Sequence, residues 1–129
     1  MPDSFESAIS VNTGDCKNGI NYPRPDLTYL KDMADGDETF VTEIISHFLE
    51  YGPGLLESMR QSALAGDNEK LRFDAHKLLP QLTFVGIVAA IPLVTKIENE
   101  SKSNRNLTAI TERAVRIVNQ GIEELRRMI

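Results

Sequence analysis

Apolar residues recur at spacings of three and four from residue 26 onward, a pattern typical of amphipathic helices. No alternation of apolar and polar positions persists over a useful window after residue 25, so the pattern does not predict strands. Turn-forming residues divide the chain into six helical segments. The predicted helices cover about residues 27–34, 38–51, 53–65, 68–85, 88–100 and 107–128.

The predicted boundaries rest on capping and helix-breaking residues. Asp37 suits the start of the second helix, and Asp67 or Asn68 suits the start of the fourth. Gly66 and Gly86 suit the ends of the third and fourth helices. The run Gly52-Pro53-Gly54 predicts a break between the second and third helices. Short links place consecutive helices antiparallel, so we expect an all-α, up-and-down bundle.

The first 25 residues differ from the rest because turn signals such as Asn18-Gly19 and Pro23-Arg24-Pro25 interrupt them. We expect an irregular N-terminal arm or linker over residues 1–25 and one helical domain over residues 26–129. Scattered apolar side chains could pin this arm onto the bundle. They are Phe5, Ile9, Val11, Ile20 and Tyr22.

Composition narrows the class of protein further. The 129 residues are 41% hydrophobic, which is enough for one core, and the net charge of −5 disfavours a nucleic-acid binder. Cys16 is the only cysteine, so an intramolecular disulfide is excluded, as suits a reducing cytoplasm. No stretch has the apolar length of a membrane span or the features of a signal peptide. We therefore expect a cytoplasmic protein without membrane insertion.

His76, in the middle of the fourth predicted helix, is the main candidate for chemistry. A neutral imidazole offers a nitrogen lone pair that can attack phosphorus without a metal of its own. His76 follows the core residue Ala75, so it is expected at the edge of the apolar face. A single histidine on a helix is most commonly structural, so a functional role for His76 must be judged from its spacing to other residues. The residues that share its side of the helix are Arg72, Phe73, Leu79 and Pro80.

Several residues stand at fixed distances from His76. Gly66-Asp67 ends nine residues before it, Gly86 lies ten residues after it, and Ile97-Glu98 ends twenty-two residues after it. With Ala75-His76-Lys77-Leu78 and the run from Phe48 to Leu56, these positions resemble the histidine-containing phosphotransfer domain family. The resemblance covers about residues 26–128, and the Phe48–Leu56 run is similar to the family's second-to-third helix junction.

The resemblance implies an antiparallel four-helix bundle with accessory helices and phosphorylation on His76. It implies a monomeric phosphoryl carrier rather than an enzyme, acting in a two-component phosphorelay. Its partners would be response-regulator receiver domains, a hybrid sensor histidine kinase or both. The receiver would supply the Mg²⁺ and the acid–base groups, so no cofactor and no metal are expected in this chain.

Two positions depart from the family pattern. Leu79 and Pro80 stand where the family carries a lysine and a glycine, three and four residues after the histidine. Arg72 and Lys77 are therefore the candidates for stabilising a phosphoryl group, with Arg72 favoured because it lies one turn before His76. Pro80 lacks the N–H that would bond the His76 carbonyl, so a local bend is expected.

The apolar residues Phe73, Leu79 and Pro80 predict an exposed partner-docking patch around His76. Loss of the family's lysine and glycine also leaves open a binding module that docks a receiver or kinase without carrying phosphate. A metal-binding bundle is disfavoured, because Glu43 and His47 make only two possible ligands. Glu98 is expected to be a packing landmark without a chemical role.

Overall fold

The computed structural model describes residues 24–103 and 105–129. Within these ranges the protein is all-helical, with five α-helices and one short 3-10 helix, and contains no strand. The helices are α1 (Thr28–Ala34), α2 (Glu38–Ala65), α3 (Asn68–Val85), α4 (Ile91–Glu100) and α5 (Thr108–Met128), and the 3-10 helix Val88–Ala90 precedes α4. Of the predicted N-terminal arm, residues 1–23 lie outside the described residues, as does Cys16.

The helix α2 is continuous over 28 residues, so the predicted break at Gly52-Pro53-Gly54 is wrong. Its buried residues form one stripe that passes through this point. They are Val41, Ile45, Phe48, Gly52, Leu56, Met59, Ser62 and Ala63. An interior proline is unfavourable by about 3 kcal/mol, which the burial of several large apolar side chains outweighs. The Phe48–Leu56 run is therefore the interior of a helix and not a junction.

The four longer helices each pack against two others. The helix α2 contacts α3 and α5, and α4 contacts the same two helices, while α1 contacts α2 and α3. Leucine, isoleucine and valine fill most of the core between them. The largest fully buried side chains are Phe48, Leu30, Ile45, Met59, Leu71, Leu78, Leu82, Ile97, Leu125, Val85, Val94 and Val118.

The helix ends that flank α3 follow the predicted capping residues. Asp67 caps α3, since its carboxylate accepts a hydrogen bond of 3.1 Å from the Lys70 N–H. The neighbouring Asn68 has another role, because its side-chain amide donates to the carbonyls of Ser103 and Arg105, at 3.1 Å and 2.9 Å. The start of α3 is thereby tied to the segment between α4 and α5.

A buried carboxylate fixes the rotation of α3 against α2. Asp74 is 3% exposed and accepts hydrogen bonds from the Ser58 hydroxyl at 2.7 Å and the Lys70 ammonium at 3.3 Å. Residues two apart on a helix differ by about 200°. With Asp74 facing α2, His76 therefore projects from the other side of α3, toward α4.

Gly86 ends α3 and is pressed against the start of the described chain. Its carbonyl accepts a hydrogen bond of 3.0 Å from the Asp26 N–H, and its φ of +72° lies in the left-handed region. A Cβ added at this position would lie 1.8 Å from the Asp26 carbonyl oxygen. Gly66 at the end of α2 has a similar φ of +74°, but a Cβ there would meet nothing within 4 Å.

We predict that Gly86→Ala destabilises the fold far more than Gly66→Ala. Both variants place a side chain in the left-handed region, which costs about 1–2 kcal/mol. Only Gly86→Ala also forces two backbone segments apart, so its total loss should reach about 3–5 kcal/mol. Urea unfolding followed by circular dichroism measures both values. Equal losses in the two variants would show that the Asp26–Gly86 approach contributes nothing.

Candidate functional site

His76 lies on the exposed surface of α3 at its border with α4. Its side chain is 74% exposed, and its Nδ1 lies 2.8 Å from the Oε2 atom of Glu98, a residue of α4. The Glu98 side chain is only 24% exposed, so the carboxylate sits against the protein while the ring extends into solvent. The pair bridges α3 and α4, which pack against each other.

The apolar stripes of the two helices produce this placement. On α3, Ala75 precedes His76 and is fully buried, and on α4, Ile97 precedes Glu98 and is fully buried. A residue one position past a core residue is rotated by about 100° and emerges at the edge of the helix interface. His76 and Glu98 occupy such edges on facing helices, where their side chains meet.

The carboxylate of Glu98 decides which tautomer the imidazole adopts. An ionised carboxylate only accepts hydrogen bonds, so Nδ1 must carry the proton and donate it. The Nε2 atom then has the free lone pair, and no described residue forms a hydrogen bond with it. The site thus presents one oriented nitrogen nucleophile, and the carboxylate behind it stabilises positive charge on the ring.

The apolar residues predicted around His76 are accessible. Phe73 is 60% exposed, Pro80 is exposed, and Leu79 is half-buried against the core. The helix α3 runs without interruption through Pro80. Together these three side chains form an exposed apolar patch beside the histidine, which we call the docking patch; its contact with a partner stays a prediction.

Neither of the two cations predicted to face a phosphoryl group forms a hydrogen bond or an ion pair with His76 or Glu98. Arg72 is exposed on α3 and forms no ion pair with a described residue. The Nζ atom of Lys77 lies 5.2 Å from the centroid of the Phe73 ring. The structure brings together His76 and Glu98, and it does not join either cation to this pair.

Glu98 is the site residue that sequence reasoning missed. It was expected to serve packing alone, whereas its carboxylate holds the imidazole. The available signal was its distance of twenty-two residues from His76, together with its place directly after a core residue. Two such edge positions on helices predicted to be neighbours suggest contact, although spacing alone does not give the rotation of either helix.

Other candidates remain apart from this site. The ring of His47 lies 4.7 Å from that of Tyr51, centroid to centroid, at an angle of 45°. Among the described residues no group of three or more His, Cys, Asp or Glu side chains is placed to hold a metal ion. None of the described helices has the length and apolar character needed to cross a membrane.

No family model, curated protein or solved structure matches this chain. The function must therefore be argued from the site itself.

We predict that Glu98→Ala shifts the tautomer of His76 toward the form with the proton on Nε2. Removing the acceptor leaves Nδ1–H without its partner, and a charge-assisted bond of this kind contributes about 1.5 kcal/mol or less when exposed. Nitrogen NMR shifts of the ring report the tautomer directly.

The matched control is Glu123→Ala, which removes an exposed carboxylate from α5. It should leave the ring shifts of His76 unchanged. An unchanged tautomer ratio in Glu98→Ala would mean that Glu98 does not orient the imidazole in solution.

Proposed function

We propose that this protein is a histidine phosphotransfer intermediate that carries a phosphoryl group on His76 between receiver-domain aspartates. The observation that carries the proposal is the oriented and exposed imidazole. Its Nδ1 is 2.8 Å from Glu98, and the side chain is 74% exposed. A structural histidine does not need an accessible ring held by a carboxylate, whereas a nucleophile that meets another protein needs both.

The chemistry requires little of this chain beyond the nucleophile. The Nε2 lone pair attacks the phosphorus of the receiver's aspartyl phosphate, forming an N–P bond. The O–P bond breaks and its electrons leave with the aspartate carboxylate. The proton on Nδ1 stays where it is, and the positive charge gained by the ring faces the Glu98 carboxylate.

The reverse step is equally balanced. The carboxylate of the next receiver's aspartate attacks the phosphorus, and the N–P electrons return to Nε2 to restore the neutral imidazole. No proton has to enter or leave in either direction, so this site needs no general acid or base. The receiver contributes Mg²⁺ to neutralise the transferring group.

The fold supports the same proposal. With α2 continuous, the protein has four longer helices that each pack against two others of the four, and the short α1 contacts two of them, α2 and α3. We propose that they form an antiparallel four-helix bundle with α1 as its accessory helix. Gly66-Asp67 forms the turn between α2 and α3, and Gly86 ends α3, which agrees with the spacing of the family resemblance.

The docking patch of Phe73, Leu79 and Pro80 is the proposed contact surface for the receiver. These side chains lie on the same helix as His76, within four residues of it. A receiver that covers them brings its aspartate to the imidazole. We propose a monomeric carrier in the cytoplasm, where receiver domains and the kinase domains of hybrid sensors operate.

The second candidate is a module that docks a receiver or kinase without accepting phosphate. Two observations favour it: Leu79 replaces the lysine of the family pattern, and no lysine or arginine of the described residues forms a hydrogen bond or an ion pair with His76 or Glu98. Incubation with a phosphorylated receiver separates the two functions. Acid-labile label on the chain supports the carrier, and binding without label supports the docking module.

We predict that His76→Gln abolishes phosphoryl acceptance and keeps the fold. Glutamine matches the size of the ring but has no nucleophilic nitrogen, and the exposed position tolerates it. The measurement is transfer of ³²P from a phosphorylated receiver, with circular dichroism as the check on folding. The matched control is His47→Gln, which should accept label normally; label that persists in His76→Gln and disappears in His47→Gln would reassign the site.

We also predict that Arg72→Ala slows transfer or shortens the lifetime of phosphohistidine by a few-fold. Arg72 shares the α4-facing side of α3 with His76, one turn away, and a flexible guanidinium can reach a phosphoryl group on Nε2. Such an exposed charge contact is worth about 0.2–1 kcal/mol, so abolition is not expected. Rapid-quench kinetics and dephosphorylation rates test it. Unchanged kinetics in Arg72→Ala, with a clear loss of phosphohistidine lifetime in Lys77→Ala, would show that the other cation serves this role.

A further inference from the structure

Lys77 follows His76 in sequence but points to a different side of α3. The imidazole leans toward α4, where Glu98 holds it. Lys77 lies about 100° further round the helix. The buried Asp74, three residues before Lys77, accepts a hydrogen bond from Ser58 and so faces α2. Residues three apart are close in direction on a helix, so Lys77 lies on the α2 side of α3. No hydrogen bond or ion pair joins its ammonium to the His76–Glu98 pair in the described residues.

The ammonium of Lys77 lies close to the aromatic ring of Phe73. Its ring is 60% exposed, and the Nζ of Lys77, one turn later, lies 5.2 Å from the ring centroid. A cation over an aromatic face is attracted by the quadrupole of the ring. Among the described residues no carboxylate forms an ion pair with Lys77. The pair thus offers an apolar surface and an uncompensated positive charge side by side.

We propose that Phe73 and Lys77 form a recognition pair for the acidic surface around the receiver's phosphorylatable aspartate. The inference rests on the proposed function for the identity of the partner. A receiver holds Mg²⁺ with carboxylates, so the surface beside its aspartate is rich in negative charge. One partner carboxylate pairs with Lys77, and an apolar partner side chain covers the Phe73 ring. Lys77 then governs association with the receiver, and not the stability of phosphohistidine.

Calorimetric titration with purified Mg²⁺-loaded receiver domains tests this assignment on the full chain. Lys77→Gln should raise the Kd roughly twofold to fivefold, as expected for an exposed ion pair, and Lys77→Arg should restore wild-type binding. Phe73→Leu keeps an apolar side chain but removes the aromatic face, so it should also raise the Kd. The difference between wild type and Lys77→Gln should shrink as salt is added.

The matched control is Arg116→Gln. Arg116 is an exposed cation on α5, which packs against α2 and α4 and does not contact α3. Its loss changes the net charge by the same amount as Lys77→Gln, so a general electrostatic effect would appear in both variants. Equal effects in these two variants would overturn the proposal.

Phosphoramidate, a small phosphoryl donor, separates docking from chemistry. Its P–N bond breaks as Nε2 forms the new N–P bond, and ammonia leaves. Because this donor has no docking surface, Lys77→Gln should phosphorylate at the wild-type rate and hold the phosphoryl group as long. A slower reaction or a shorter lifetime in Lys77→Gln would overturn the proposal and place Lys77 at the phosphoryl group.

Failure of the proposed function would look different. If receivers bind in a Lys77-dependent way but transfer no label, the carrier function fails and the recognition pair stands as part of a docking module. If transfer proceeds and Lys77→Gln binds as tightly as wild type, only the recognition pair fails. If no receiver binds the wild-type chain, both are refuted.

Discussion

The rotation of α3 about its own axis is the constraint on which the site depends. Its apolar stripe, including the fully buried Leu71, Ala75 and Leu78, turns one face into the core. Asp74 adds a polar requirement, because its buried carboxylate reaches the Ser58 hydroxyl of α2 only in this rotation, whereas its other partner, Lys70, lies on α3 itself. A buried polar group that loses its hydrogen-bond partner costs about 1–3 kcal/mol, so other rotations are disfavoured. The exposure of His76 follows from a polar contact on the far side of its helix.

The pairing of His76 with Glu98 resolves two opposing demands. A side chain that exchanges a group with another protein must be exposed, yet exposed side chains rotate freely and sample unproductive orientations. A carboxylate that is itself mostly shielded holds one ring nitrogen and leaves the other open to solvent. Orientation then comes from α4 and accessibility from α3, so the packing of these two helices sets the geometry of the imidazole.

Two interior prolines show how tertiary packing overrides local preference. Pro53 lies within α2 and Pro80 lies within α3, and both helices continue through them. In each case apolar residues before and after the proline belong to one buried stripe, so ending the helix would expose the next part of the core. Pro80 also lies one turn after His76, where its ring is exposed and belongs to the docking patch.

The sequence by itself determined the helical class, most helix ends and the candidate nucleophile. Periodicity and capping act between residues close in the chain, so Asp67, Gly66 and Gly86 could be assigned their helix ends in advance. The continuity of α2 could not be predicted. Pro53 disfavours a continuous helix and burial of the apolar stripe favours it, and which free energy is larger depends on the helices packed against α2.

The contact of Glu98 with His76 and the position of the Lys77 side chain likewise depend on the tertiary structure. Glu98 meets His76 across a helix interface whose relative rotation depends on every core side chain between the helices. Lys77 and Phe73 are neighbours on one helix, but the exposure of the ring depends on which face of α3 the bundle buries. Local pattern singled out His76 as the candidate residue, and long-range packing set which side chains it touches.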